Sequence, residues 1–169
     1  APSVTATTFP VIATEEDESV FRYLDTASSR VGIGALNDLL AGQKIAIVGL
    51  GGTGSYVLDL VAKSCVAEIH LFDADVFSQH NAFRSPGAAS VDNLRTKPSK
   101  LSYLAGIYDR MRRGIFAHEI FANNSTVPLF QVDFVFLCLD RGVEKKAIID
   151  ALVEQALPFV DVGMGILRS

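Results

Sequence analysis

The residues between positions 49 and 55 have the types and spacing of a phosphate-binding turn. Glycines stand at Gly49, Gly51, Gly52 and Gly54, and Ser55 follows them. Backbone without side chains lets N–H groups approach an anion, and the positive end of a following helix favours that anion. Three of the glycines also satisfy the G-x-G-x-x-G spacing of dinucleotide sites. The alternative is a tight turn without a ligand, and the surrounding pattern argues against it.

The turn lies between a predicted strand and a predicted helix. Residues 45–48 are a short apolar run that ends in glycine, which is typical of a buried parallel strand. Residues 55–62 can form a helix with Val57, Leu58 and Val61 on its buried face. Strand, glycine turn and helix together predict a nucleotide site.

Polar side chains follow three other predicted strands. A strand over 66–73 ends at Asp73, about twenty residues past the glycines, where a Rossmann fold places the carboxylate that binds ribose hydroxyls. Asp73 could instead cap a turn or helix. Asn123 and Asn124 follow the third candidate strand, and Asp140 follows the fourth. Because open α/β sheets bind ligands outside the carboxyl ends of their strands, we expect these groups to meet the glycine turn.

Strands alternate with helices along the rest of the chain, which predicts a Rossmann-like α/β fold. The further elements are strands over 115–122, 133–139 and 158–162 and helices over 100–112 and 144–155. Such alternation gives a mostly parallel sheet with helices on both faces and right-handed crossovers. The predicted organisation is a flexible lead-in over 1–18, a short N-terminal helical segment over 19–42 and a Rossmann-like domain over 43–169. The polar connection over 75–98 is long enough to suggest a functional loop.

Composition limits the class of protein. The 169 residues suffice for one domain with a sizeable core, and 49% of them are apolar. No apolar run has the length of a membrane span, and the net charge of -4 includes no block of like charges. These features argue against a membrane and against nucleic acid as the main partner. Cys65 and Cys138 form no C-x-x-C pair, so we predict no zinc site or disulfide framework and a cytoplasmic location.

The loop after the second strand carries residues that resemble the ThiF/MoeB/HesA superfamily of ubiquitin-activating-enzyme-like adenylyltransferases. The family pattern is G-x-G-G-x-G-S, then D-x-D, N-x-x-R-Q, a lysine at a helix start, and D-x-V-x-x-x-x-D-N. The chain has the whole glycine motif and also Asp73, Asp75, Asn81, Arg84, Lys97 or Lys100, and the stretch from Asp133 to Asp140. The resemblance extends from Gln43 to Gly165.

The resemblance implies an enzyme that uses ATP and Mg²⁺ to adenylate the C-terminal carboxylate of a ubiquitin-like or sulfur-carrier protein. The carboxylate attacks the α-phosphate and pyrophosphate leaves, so catalysis should be positioning and cationic clamping of phosphoryl oxygens. Arg84 would supply a planar fork for phosphate, and Lys100, or alternatively Lys97, a point charge. Asn81 lies three residues before Arg84, so one helical turn would put both on one face. Asp140 would hold Mg²⁺, although it could also cap the next helix.

The same resemblance implies contacts to the nucleoside. Asp73 would bind the ribose, and Asp75 and Asn81 would belong to the nucleotide site. Asn123 or Asn124 would lie near the nucleoside. Together with the glycine turn, these residues make up the predicted ATP-binding part of the chain.

An arginine before the first strand reaches the neighbouring ATP site of a dimer in some members of the family. Arg30 is the candidate here and Arg22 a weaker one. A plain surface arginine on a helix is the alternative for either residue. The resemblance therefore implies a homodimer.

The chain departs from the family pattern at two positions. Ser85 stands where the family has glutamine, which could loosen the loop, and Arg141 stands where it has asparagine, beside the proposed metal ligand. In the family, the substrate-protein surface and any catalytic cysteine or zinc site come later than Ser169. We therefore interpret the chain as the nucleotide half of a larger protein and assign neither cysteine as a nucleophile.

Two other functions compete with adenylation. An NAD(P)- or FAD-dependent oxidoreductase would explain the glycines and Asp73, but it would leave Arg84, Lys100 and Asp140 without roles. A catalytically inactive nucleotide-binding subunit of a heterodimer would explain the fold, although the site residues are intact in the sequence.

Overall fold

A five-stranded parallel sheet forms the centre of the protein. The computed structural model describes residues 12–15, 19–27, 32–119, 131–140 and 142–162. The strands, in chain order, are β1 (Lys44–Val48), β2 (Glu68–Phe72), β3 (Ile115–His118), β4 (Phe134–Leu137) and β5 (Phe159–Asp161). The helices are α1 (Gly34–Leu40), α2 (Gly52–Ala62), α3 (Gln79–Ala82), α4 (Val91–Arg95), α5 (Lys100–Tyr108) and α6 (Gly142–Glu154). None of these helices is both long and apolar enough to span a membrane.

The order of the strands puts β1 in the middle. The sheet reads β3-β2-β1-β4-β5, and each neighbouring pair is parallel. The chain therefore moves outward from β1 to β3 and then returns to the other side of β1 for β4. Ligands of open α/β sheets bind where the strand order reverses in this way, at the carboxyl ends of the two central strands. The Rossmann-like prediction is confirmed, and the predicted phosphate-binding turn lies at this switch point.

Two apolar clusters cover the two faces of the sheet, because successive residues of a strand point to opposite faces. The cluster under α2 and α5 includes Ile45, Ile47, Leu58, Ile69 and Leu104. The cluster under α6 includes Ala46, Val48, Val135, Ile148 and Leu152. Burial of each large aliphatic side chain contributes about 1.5–3 kcal/mol. The first cluster thus fixes α2 and α5, the two helices that begin at the candidate site.

Residues 19–26 are not helical, whereas the sequence predicted one or two helices within the segment over 19–42 that includes them. The backbone of Phe21 forms an antiparallel bridge with Arg112, and Tyr23 forms another with Ala13. Phe21 is also buried. The apolar spacing that suggested a helix is explained by this pairing with a distant segment, which local periodicity does not report. Of the predicted N-terminal helices, α1 is present in the described residues.

The long connection over 75–98 contains two short helices, α3 and α4. Its two ends are held together by backbone hydrogen bonds from Phe77 N–H to the Pro98 carbonyl, 2.8 Å, and from Lys100 N–H to the Asp75 carbonyl, 2.9 Å. The buried Phe77 ring also stacks on Tyr103 with centroids 4.0 Å apart. The connection over 75–98 is therefore a closed loop, and it places the start of α5 beside the end of β2.

Candidate functional site

The glycine turn joins β1 to α2, as predicted, and two of its glycines are required by close packing. Gly49 has a φ of +90°, and a Cβ there would lie 2.9 Å from Cδ2 of Leu139. A Cβ at Gly54 would lie 1.8 Å from the Gly49 carbonyl oxygen. At Gly51, by contrast, a Cβ would meet nothing within 4 Å among the described residues. The turn is therefore closed toward the sheet and open on the side of Gly51.

No side chain in the described residues caps the start of α2. Gly51 is the N-cap residue, in an extended conformation, and it has no side chain to accept the first N–H groups. Ser55 is fully buried, and its Oγ donates to the Gly52 carbonyl at 2.9 Å. The hydroxyl of Ser55 thus stabilises the turn from inside, and the N–H groups of the first turn of α2, which have no side-chain cap among the described residues, could bind an anion.

The guanidinium of Arg84 lies against the first residue of α2. A Cβ at Gly52 would lie 3.0 Å from Nε and 3.1 Å from Nη2 of Arg84. Nη1 of Arg84 is 3.1 Å from Nε2 of His80. An arginine cation therefore sits at the positive end of a helix, and the two positive groups together favour an anion between them.

Asp73, Asp75 and Lys100 meet beside the turn. The Asp73 carboxylate accepts the Leu50 N–H and the Asp75 N–H, each at 2.7 Å. Nζ of Lys100 is 2.7 Å from Oδ2 of Asp75 and 3.5 Å from Oδ2 of Asp73. Lys100 and the Asp73 side chain are both buried, while Asp75 is half exposed. Asp73 thus ties the end of β2 to the glycine turn, and the ion pairs hold Lys100 at the start of α5.

The structure separates the two candidate lysines. Lys100 lies in the carboxylate cluster, whereas Lys97 is exposed and has a positive φ of 47° at the turn after α4. Lys100 is therefore the lysine that the fold brings to the candidate site. Its contact with phosphate stays a prediction.

Asn81 and Ser85 shape the loop that carries Arg84. The Asn81 Oδ1 accepts the Ser78 N–H at 2.9 Å and the Ser78 hydroxyl at 2.7 Å. Ser85 is buried, and its Oγ donates to the Asn81 carbonyl at 2.9 Å. The departure from the family pattern at Ser85 therefore fastens the loop, although the sequence suggested that it could loosen it. Asn81 lies at the site, but its amide oxygen is used by the loop itself.

Asp140 follows β4 on the edge that carries the turn. It is exposed. The Cys138 N–H donates to the Val48 carbonyl at 2.8 Å, which places this end of β4 next to Gly49. Burial raises the pKa of Cys138 to about 12, and burial also raises the pKa of Cys65. Both thiols are therefore protonated near neutral pH.

Several predicted residues are placed elsewhere or lie outside the described residues. Arg30, Asn123, Asn124 and Arg141 belong to the ranges that the structure does not describe. Arg22, the weaker candidate for a contact across a dimer, pairs with the Asp109 carboxylate at 2.9 Å. In this structure Arg22 therefore holds the N-terminal segment to the end of α5.

The far end of α2 is fixed by a buried arginine that the sequence did not single out. The Arg112 side chain is fully buried, and burial lowers its pKa to about 10. Its guanidinium donates to the backbone carbonyls of Val61, Ala62, Ser64, Val66, Ala67 and Arg113. Carbonyls at the end of a helix lack partners within it, so Arg112 satisfies them.

A second contact on α2 joins it to α5. The Tyr108 hydroxyl donates to Oδ1 of Asp59 at 2.9 Å. Burial and this hydrogen bond raise the pKa of Tyr108. Burial would raise the pKa of Asp59, but hydrogen bonds from Lys63 and Tyr108 outweigh it and hold that pKa below its ordinary value. Like His80, these residues were missed because packing sets their partners. The four-residue spacings of His80 with Arg84 and of Asp59 with Lys63 were the local signals.

Comparison with known proteins gives a family and a set of similar folds. The model of the ThiF family matches residues 25–167. Ubiquitin-like modifier-activating enzyme 5 from Culex quinquefasciatus is 25% identical over 160 residues, which cover 82% of this chain and 38% of that protein. The chain thus spans well under half the length of this relative.

Solved structures of two E. coli proteins share the fold. The tRNA N6-threonylcarbamoyladenosine dehydratase TcdA, in complex with AMP, has a TM-score of 0.70 at 22% identity, covering 78% of this chain and 55% of that one. MccB with MccA-N7isoASN has a TM-score of 0.69 at 19% identity, covering 82% of this chain and 44% of that one. At this identity the likeness concerns the fold. Because the family model matches most of its length, the chain belongs to the ThiF family.

Proposed function

We propose that this chain is the nucleotide-binding portion of an ATP-dependent adenylating enzyme, which activates the C-terminal carboxylate of a ubiquitin-like or sulfur-carrier protein. The observation that carries the proposal is the position of the Arg84 guanidinium against Gly52, at the uncapped start of α2. A helix start and an arginine fork are two recognised ways of binding phosphate, and here they converge. The name of the modifier-activating relative and the TcdA structures with AMP and ATP support the same reaction class.

The residues present fit a nucleoside triphosphate. The turn is open at Gly51, where phosphate oxygens could approach the backbone without meeting a side chain. Asp73 lies at the end of β2, where Rossmann-like folds bind ribose, and its carboxylate keeps lone pairs besides those that accept the two backbone N–H groups. Family membership favours adenylation over the alternative of a dinucleotide-dependent oxidoreductase.

The chain's own residues would act mainly on charge and position. In the reaction, a carboxylate oxygen of the acceptor forms a bond to the α-phosphorus. The bond from that phosphorus to the bridging oxygen breaks, and pyrophosphate leaves with the electron pair. We assign Arg84 and the N–H groups of α2 to the phosphoryl oxygens, where negative charge increases. We assign Lys100 to the same oxygens, since Asp73 and Asp75 already fix its position.

The donor set also fits Mg²⁺. Asp140 offers an exposed carboxylate at the carboxyl end of β4. Mg²⁺ prefers oxygen ligands and commonly uses one or two carboxylates together with phosphate oxygens and water. When bound, the ion would neutralise charge on the phosphates. Asp140 would hold it, and Asn123 or Asn124 would lie near the nucleoside.

Nucleotide preference is the first test. Melting temperature should rise with MgATP, because a ligand that binds the folded state stabilises it. NAD and NADP serve as matched controls, since they share the adenosine half but not the triphosphate. Stabilisation by a dinucleotide with none from MgATP would contradict the proposal.

Catalysis and assembly need separate measurements. Exchange of labelled pyrophosphate into ATP, dependent on an added protein with a C-terminal Gly-Gly, would distinguish an active enzyme from an inactive nucleotide-binding subunit. The proposal includes a cytoplasmic homodimer, with Arg30 of one copy reaching the site of the other. Light scattering of the purified chain, with and without MgATP, tests the oligomeric state.

A further inference from the structure

His80 lies four residues before Arg84 and contacts its side chain. Nε2 of His80 is 3.1 Å from Nη1 of Arg84, while the Nε and Nη2 edge of the same guanidinium lies over Gly52. The guanidinium thus has one nitrogen held by His80 and two that face the start of α2. The edge formed by Nε and Nη2 can donate to two phosphate oxygens at once.

The chemistry of this contact fixes the protonation of His80. A guanidinium has donors only, so Nε2 of His80 must accept, and the neutral ring carries its proton on Nδ1. A doubly protonated ring would lose the acceptor and add a positive charge next to Arg84. Within the described parts of the chain, Arg84 is the charged side chain that hydrogen-bonds to His80.

The loop itself does not depend on this contact. Asn81 closes the turn through Ser78, and Ser85 fastens it through the Asn81 carbonyl. His80 is exposed and takes no part in those hydrogen bonds. Its replacement is therefore expected to leave the loop folded, and what it controls is the orientation of Arg84.

We propose that neutral His80 is a positioning residue for nucleotide binding: it holds Nη1 of Arg84 so that the Nε and Nη2 edge faces the phosphate site at the start of α2. The inference rests on the proposed function, since that function assigns Arg84 to phosphate. An arginine oriented before the ligand arrives loses less conformational freedom on binding. His80 thereby increases affinity for the triphosphate without touching it.

Binding of MgATP measured by calorimetry, with the wild type and every variant in the same buffer, tests the inference. His80→Ala should weaken affinity by about three- to tenfold, the size expected from the loss of one hydrogen bond. His80→Gln, which keeps an acceptor, should restore most of that affinity. Gln79→Ala, at the exposed neighbouring position on α3, is the matched control and should bind as the wild type does. Unfolding midpoints of all variants should coincide.

Rescue by the glutamine variant provides a readout that a purely structural role would not move. His80→Ala lacks the acceptor and His80→Gln keeps one, so the difference in affinity between these two variants isolates the contribution of the hydrogen bond from Nη1 of Arg84.

The outcomes separate this inference from the function on which it rests. If the wild type binds MgATP and His80→Ala binds it equally well, the positioning role is overturned and the proposed function stands. If His80→Gln binds MgATP as weakly as His80→Ala, the requirement for a hydrogen-bond acceptor at position 80 is overturned. If the wild type binds no MgATP, the proposed function fails, and the inference fails with it.

Discussion

The two ends of α2 each carry an arginine, in opposite environments. At the start of the helix, the Arg84 side chain is exposed, lies against Gly52 and borders open space at Gly51. At the end of the helix, Arg112 is fully buried, and its guanidinium donates to backbone carbonyls. One arginine completes the fold. The other adds positive charge to a helix end that is positive already.

The two arginines therefore have different roles. Arg112 stabilises the fold around α2, whereas Arg84 is exposed at the candidate site. Satisfied hydrogen bonds at the closed end restrict the motion of α2, so the N–H groups at its open end keep their positions. Preorganised dipoles of this kind stabilise charge without a further cost of reorganisation. The comparison predicts that substitutions at the closed end change stability, while those at the open end change affinity for nucleotide.

The largest expected effect comes from exchanging the two arginines for neutral residues. Arg112→Met should lower the free energy of unfolding by about 3 kcal/mol or more, because buried carbonyls lose their donor. Arg84→Ala should change it by less than about 0.5 kcal/mol, as is usual for exposed positions. Urea denaturation measures both values. Arg110→Ala, at an exposed arginine close to Arg112 in the chain, is the control for charge.

Activity should show the reverse order. Arg84→Ala should abolish pyrophosphate exchange in a protein that remains folded, because the transition-state charge loses its arginine. Lys100→Ala should reduce exchange strongly and Lys97→Ala weakly, in line with their positions. Full exchange in Arg84→Ala would remove this arginine from the mechanism. Equal activity in the two lysine variants would do the same for the lysine.

Local sequence pattern predicted the elements of the fold well and their long-range pairing less well. The apolar runs before Gly49 and before Asp73 became β1 and β2, because a strand buried on both faces needs such a run. The segment over 19–26 failed as a helix because its backbone pairs with residues near Arg112, far along the chain. Loop closure of that kind leaves no trace in local periodicity.

In the candidate site, too, some features could be predicted from local sequence pattern, whereas others depend on contacts between distant residues. Glycine spacing and the polar ends of the strands were enough to predict that the glycine turn and Asp73 would meet at the carboxyl edge of the sheet. The contact of Lys100 with Asp75 depends on how the loop over 75–98 closes on itself. That closure uses backbone hydrogen bonds, which residue types do not specify. Side chains that act through another residue, as proposed for His80, were hidden for the same reason.

A smaller effect would refine the comparison at the closed end of α2. Tyr108→Phe removes the hydroxyl that donates to Asp59 but keeps the ring. The free energy of unfolding should fall by about 0.5–1.5 kcal/mol, the usual net value of one hydrogen bond. Affinity for MgATP should remain that of the wild type. A large loss of affinity would show that the closed end also controls the geometry of the open one. Tyr103→Phe, which keeps the stacked ring, is the matched control.

The smallest effect concerns a partly buried histidine, set against the exposed His80. Burial lowers the pKa of His118, and the neighbouring His70 lowers it further. Below about pH 6.5 the unfolded chain therefore takes up a proton more readily than the folded protein at this position, so stability falls as the pH falls. The loss is at most about 1.4 kcal/mol per pH unit for one such group.

His118→Gln should remove this part of the dependence on pH. Urea denaturation at about pH 7.5 and about pH 5.5, on either side of the ordinary histidine range, should show a smaller drop in stability for the variant than for the wild type. The effect of replacing His80, by contrast, is expected in the affinity for MgATP. The two histidines would then divide as the two arginines do, one affecting the folding equilibrium and the other affecting binding. An equal drop in stability for His118→Gln and the wild type would show that protonation of His118 is not opposed by the fold.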